Sequence, residues 1–135
     1  MIEMLVFRVT VLLYWRWPMK RVLLVDDAQF IRNSLRIILE KNGYEIIGQA
    51  DDGVQGVILY KALKPDIVTM DITMPNKDGL QALKEIKAMD KAAKVVMITA
   101  MGREDIVREA IINGASNFIV KPFNEDKVLA VMEKL

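Results

Sequence analysis

The stretch Lys64-Pro-Asp-Ile-Val-Thr-Met-Asp71-Ile-Thr-Met-Pro-Asn-Lys-Asp-Gly79 decides the fold. Residues 67–70 form a short apolar run rich in β-branched side chains, opened by Pro65-Asp66 and closed by Asp71. With helical periodicity on both sides, such a run reads as a buried strand of a parallel sheet. Asp71 then stands where the strand runs out, at the carboxyl edge where open α/β sheets hold their ligands. Pro75 and Gly79 turn the chain before the next helix. An acid in that place is a nucleophile, a metal ligand or a loop acid bonded to nearby backbone. Turn duty is the commonest fate of a strand-end acid, and only the rest of the chain weighs against it.

Outward from this stretch the same unit recurs. Residues 22–25 form an apolar strand ending in Asp26-Asp27, followed by a helix with Ile31, Leu35, Ile38 and Leu39 on one face and Asn42-Gly43 at its end. Residues 44–48 are a second strand, and residues 54–63 a second helix that begins after Asp51-Asp52-Gly53. The helix after Asp71 carries Leu80, Leu83 and Ile86; residues 94–98 are a fourth strand running into Thr99-Ala100. Ile106, Val107, Ala110 and Ile111 give the fourth helix its apolar face, stopped by Asn113-Gly114. Residues 117–120 are a fifth strand ending in Lys121-Pro122, and the last helix carries Val128, Val131, Met132 and Leu135. Asp51, Asp52 and Asp78 read as turn and N-cap residues. Successive βα units predict an α/β fold: a doubly wound five-stranded parallel sheet with helices on both faces. The flavodoxin-like strand order 2-1-3-4-5 puts its switch point between the first and third strands, whose ends carry Asp26, Asp27 and Asp71.

Composition narrows the chemistry. The 135 residues suit one domain with a sizeable core, and 19 Lys+Arg against 18 Asp+Glu leave no basic footprint for nucleic acid. Cysteine and histidine are both absent, which removes thiolate chemistry, the usual general base and the commonest metal ligand. A metal would therefore sit on oxygen ligands, as a hard cation such as magnesium does. A covalent intermediate would form on a carboxylate, hydroxyl or amine.

The strand ends, set side by side, read Asp26-Asp27, Asp71, Thr99 and Lys121. Three carboxylates in one cleft repel one another unless a cation compensates. Lys121 adds a compact positive charge and Thr99 a hydroxyl donor. These are the parts for phosphoryl transfer to a carboxylate. Singly each has a plain structural explanation: Thr99 a β-branched strand residue, Lys121 a solvated lysine, Phe118 a core aromatic. Jointly those explanations leave the complementary strand ends unaccounted for.

Val25-Asp-Asp27, Met70-Asp-Ile-Thr-Met-Pro75, Thr99-Ala100 and Val120-Lys-Pro-Phe123 resemble the signature of the response-regulator receiver family, closest to its stand-alone chemotaxis members. The likeness covers residues 19–135. It implies that Asp71 is the phosphoacceptor, taking a phosphoryl group from a histidine kinase of the chemotaxis type. Asp27 would bind Mg2+ directly and Asp26 largely through water, with Asp71 and the Thr73 backbone carbonyl as further ligands. Thr99 and Lys121 would hold the phosphoryl oxygens, with Ala100 leaving space beside them. Lys121-Pro122 matches the family's cis peptide, and Phe118 its aromatic switch position, here without a hydroxyl. Met74 and Met101 border the site. The resemblance further implies a cytoplasmic switch rather than an enzyme, with a downstream protein partner such as the flagellar motor switch. With no effector domain expected after the last helix, contact with that partner would run through the face of the fourth helix, fifth strand and fifth helix.

Three other readings stand beside this one. A phosphatase of the haloacid-dehalogenase type would use Asp71 as nucleophile but wants a second acid two residues on, where Thr73 stands. A flavin-binding module wants a phosphate-cradling loop after the first strand, where Asp26-Asp27 would repel phosphate. A phosphorylation-independent interaction module is the last. Residues 1–18 differ from the rest: both tryptophans, Trp15 and Trp17, lie there with Phe7 and Tyr14, and Arg8 interrupts an apolar run short for a bilayer span. The segment fits no signal peptide. It reads as a start assigned too early, with Met19 the natural beginning, or as a membrane or partner anchor.

Overall fold

The computed structural model describes residues 19–135. The expected boundary at residue 18 and both readings of residues 1–18 fall outside that range. Ten elements alternate along the described chain: β1 Arg21–Val25, α1 Gln29–Lys41, β2 Glu45–Ala50, α2 Gly53–Leu63 and β3 Ile67–Asp71, then α3 Gly79–Met89, β4 Lys94–Ala100, α4 Glu104–Ile112, β5 Asn117–Lys121 and α5 Glu125–Met132. The five strands form one parallel sheet in the order β2-β1-β3-β4-β5.

The inner strands β1, β3 and β4 are apolar over most of their length because both faces are covered. Alternation splits each one between two cores. Leu23, Val25, Val68, Met70, Val95 and Met97 face the layer that holds Tyr60 of α2, Leu83 and Ile86 of α3 and Ala110 of α4. Val22, Leu24, Ile67, Val96, Ile98 and Ile119 face Leu35 and Leu39 of α1 and Val128 and Met132 of α5. Burying such a side chain fully contributes about 1.5–3 kcal/mol before entropy is charged against it.

Local signals set the helix ends. The Asp52 and Asp78 carboxylates accept from the backbone N–H groups of Gln55 and Gln81, each at 2.8 Å, and so cap α2 and α3. Asn124 caps α5 in the same way, accepting from Lys127 N at 2.9 Å. The α1 helix ends at Asn42, followed by Gly43 with φ of +88°.

Two expectations need correction. The second strand runs to Ala50, past residue 48, because β1 offers partners up to Val25↔Ala50. The apolar stripe of α4 is only partly covered: Ala110 is buried and Ile106 packs on the core, but Ile111 is 52 % exposed and Ile112 78 %. This helix sits beyond β4 near one edge of the sheet, and nothing among the described residues covers its outer side.

Candidate functional site

The parallel register carries the strand ends to one edge. Val25 pairs with Met70, so Asp26 follows on β1 where Asp71 ends β3, and Asp71 pairs in turn with Ile98 one residue before Thr99. Thr99 pairs with Val120, and Ala100 with Lys121. The side chains of Asp26, Asp27 and Asp71 converge, each offering a carboxylate oxygen within 4.8 Å of the others. Asp26 and Asp71 are buried and Asp27 is exposed. Lys121 Nζ lies 3.3 Å from Asp26 Oδ2 and 3.5 Å from Asp71 Oδ2.

The pocket is short of positive charge. Asp26 Oδ1 accepts from Ala28 N at 2.9 Å, but Asp26 Oδ2 is buried without a hydrogen-bond partner. Burial pushes the Asp71 carboxyl up to about 6, the neighbouring Asp26 charge adds to the rise, and Lys121 and the Thr73 N–H oppose it. A buried acid oxygen that has only the shared Lys121 ammonium for company and no aligned hydrogen bond, beside two more carboxylates, fits a hard divalent cation with oxygen ligands.

Thr99 and Ala100 line two adjoining clefts. One, of about 140 Å³, is bounded by Asp71, Ile72, Thr73, Arg103 and Lys121 as well. The other, of about 520 Å³, runs between α4 and β5 and is lined further by Met101, Val107, Ile111 and Phe118. Phe118, half-buried, pairs with Met97 on β4 and opens onto this second cleft, not onto the acid pocket. The Thr99 hydroxyl donates to the Ala100 carbonyl oxygen at 3.2 Å. Gly102 beyond it has φ of +81°, a backbone region that favours glycine. The Lys121–Pro122 peptide is cis. Met74 is buried, whereas Met101 is 74 % exposed on the second cleft.

Several site residues escaped the sequence reading. Arg103 borders the acid cleft, four residues beyond Thr99. Gly79 lies so close to the end of β3 that a Cβ there would stand 1.9 Å from the Asp71 carbonyl oxygen. Its N–H donates to Ile72 O at 2.7 Å, closing the loop between them. Arg32 of α1 donates to the backbone oxygen of Asp26 and to Gln49 Oε1. Of these only Gly79 left a signal, as the end of the turn after Pro75.

The comparisons with known proteins agree with this geometry. The family model for the response regulator receiver domain matches residues 22–133. The chain is 52 % identical over 114 residues to the chemotaxis protein CheY of Bacillus subtilis, covering 84 % of this chain and 95 % of that one. It is also 52 % identical to CheY of Thermotoga maritima, over 86 % of this chain and 97 % of that one. Protein CcdB of Bacillus subtilis is 56 % identical, over 87 % and 98 %. Among solved structures, the CheX-CheY-BeF3-Mg+2 complex from Borrelia burgdorferi superposes with a TM-score of 0.83 at 44 % identity, covering 85 % of this chain and 87 % of that one. A parallel sheet in this order, with this acid pocket at its switch point, belongs to two-component signalling: the chain is a member of the response regulator receiver domain family and resembles CheY.

Proposed function

We propose that the protein is a phosphorelay response regulator that accepts a phosphoryl group on Asp71 and thereby changes its affinity for a downstream protein. The observation that carries this reading is the buried, under-neutralised acid pocket, with Asp71 at its centre and Lys121 reaching two of its carboxylates. Asp26, Asp27, Asp71 and the Thr73 carbonyl would hold Mg2+. That ion supplies neutralising charge for the transferred group. An Asp71 carboxylate oxygen attacks the phosphorus of a phosphohistidine on the kinase; the O–P bond forms as the P–N bond breaks, and the imidazole nitrogen leaves. Lys121 and the Thr99 hydroxyl then face the new negative charge.

The downstream half of the function rests on the paired clefts. A phosphoryl group adds charge and strong acceptor oxygens beside Thr99. To donate to them the Thr99 hydroxyl must leave the Ala100 carbonyl, which draws the loop of Thr99-Ala-Met-Gly102 inward. Phe118 borders the volume next to it and can turn into that space by packing alone. One hydrogen bond to a charged acceptor, about 1.5–3 kcal/mol, shifts such an equilibrium roughly ten- to a hundredfold. The likeness to CheY supports a role in chemotaxis, a kinase of the chemotaxis type upstream and a motor-switch component as target. The half-covered face of α4 with β5 is the surface a target would meet. The likeness to CheY also supports work in the cytoplasm.

Acetyl phosphate with magnesium tests the chemistry. Stoichiometric label on the wild type, abolished in Asp71→Asn, is expected; label persisting in that variant moves the acceptor elsewhere in the pocket. Continuous release of phosphate without stable label would favour the phosphatase reading. Phosphorylated Thr99→Ala is expected to lose most of the gain in target affinity. Target affinity equal to that of phosphorylated wild type removes the Thr99–Phe118 coupling.

A further inference from the structure

The loop that follows Asp71 is held from outside by the turn that follows β2. Gly53, the first residue of α2 and buried, donates its N–H to the Lys77 carbonyl oxygen at 3.1 Å. A Cβ at Gly53 would stand 2.3 Å from that same oxygen, so any side chain there would force the two loops apart. One residue earlier, Asp52 Oδ2 accepts from Asn76 Nδ2 at 2.9 Å, while Asp52 Oδ1 caps α2 through Gln55 N. Asn76 takes a left-handed backbone, φ +66°, which its short polar side chain tolerates. Lys77 N folds back on Pro75 O at 2.8 Å, and Gly79 N closes on Ile72 O. Thr73, whose carbonyl is a proposed metal ligand, thus lies between two anchorages: the Ile72–Gly79 closure and the double contact with the β2–α2 turn.

We propose that Asp52, Gly53 and Asn76 are positioning residues that clamp the segment between Asp71 and Gly79 and so set the magnesium affinity of the acid pocket. None of the three touches the acids. The clamp acts by fixing the loop before the metal arrives, which lowers the ordering cost of binding. This rests on the reading of the pocket as a magnesium site, and the test separates the two.

Asn76→Asp sets two carboxylates face to face and removes the donor. Asp52→Asn keeps an oxygen for the α2 cap, and the Asn76 amide keeps the pair by rotating to offer its Oδ1 to the new amide. The double variant Asp52→Asn/Asn76→Asp restores a donor–acceptor pair with its polarity reversed. Magnesium affinity of the full, unphosphorylated chain, read by titration calorimetry, is expected to fall about three- to tenfold in Asn76→Asp and to stay within about twofold of wild type in Asp52→Asn and in the double variant. Hydrogen exchange at the Gly53 N–H, measured without metal, should quicken in Asn76→Asp and slow again in the double variant. Gly53→Ala should weaken magnesium binding most, although alanine is the better helix former. A wild type that binds no magnesium overturns the site and the clamp together. A wild type that binds, with Asn76→Asp binding equally well or the double variant no better than Asn76→Asp, overturns the clamp alone.

Discussion

The two edges of the sheet handle charge in opposite ways. At the amino edge, Arg21 opens β1 and is fully engaged: its N–H donates to Asp66 Oδ2 at 2.8 Å and its guanidinium to the Lys64 and Leu63 carbonyls, each at 3.0 Å. Those carbonyls belong to the last turn of α2, where helix ends leave acceptors without partners, and Lys64 there is left-handed with φ of +48°. Five residues further along the chain, just past the end of the same strand, the situation reverses. Asp26 is 1 % exposed with an oxygen that has no aligned hydrogen bond, burial raises the Asp71 carboxyl to about 6, and the one Lys121 ammonium is shared between them. One end of the strand uses its charge to fasten the fold. The other holds negative charge that the fold leaves under-neutralised, which suits the cation proposed for it.

Three substitutions probe this contrast, beginning with the largest effect. Gly79→Ala drives a methyl group into the Asp71 carbonyl, and the carboxyl edge has no slack there. We expect a loss of about 2–4 kcal/mol in urea unfolding, with slower labelling by acetyl phosphate. An unchanged midpoint would mean that the β3–α3 turn relaxes freely. Asp71→Asn should act in the opposite direction. The folded Asp71 titrates near 6 against an ordinary 3.8, so the folded state binds its proton more tightly than the unfolded one. Wild-type stability therefore falls as pH rises from about 4 through 6, and the whole penalty is present above that window. Without magnesium, Asp71→Asn should be more stable than wild type by about 1–3 kcal/mol at pH 8, the difference vanishing below about pH 4. A constant difference across that range would show that the carboxylate is not strained. Arg21→Ala is the counterpart at the amino edge. It should cost about 1–2 kcal/mol of stability and leave the rate of labelling at Asp71 unchanged. A large drop in labelling would couple edges that the structure keeps apart.

Most of the fold was open to reading because its signals are local. Apolar runs closed by acids marked β1 and β3, and Asp52 and Asp78 stood where N-caps belong. The acid pocket was legible too, since in a parallel sheet every strand ends at the same edge. What escaped has a common character. Ile111 sits at core spacing on α4 yet is 52 % exposed, because whether a stripe is covered depends on the neighbours and not on the helix. Arg103 reaches the acid cleft from a loop, where no periodicity assigns a direction. Gly53 and Gly79 looked like turn punctuation, but their contacts are with Lys77 and Asp71 across space.

The sequence by itself determined the alternation of strands and helices, the caps of α2 and α3, and the acids, hydroxyl and lysine at the strand ends. Each of these follows from residues within one turn or one strand of each other. Tertiary structure alone decided that Asp26 would share the Lys121 ammonium and keep an oxygen with no aligned hydrogen bond, that Thr99 would border two clefts at once, and that the β2–α2 turn would hold the loop after Asp71. These depend on distances between segments far apart in the chain. Close packing sets such distances, and no local pattern encodes them.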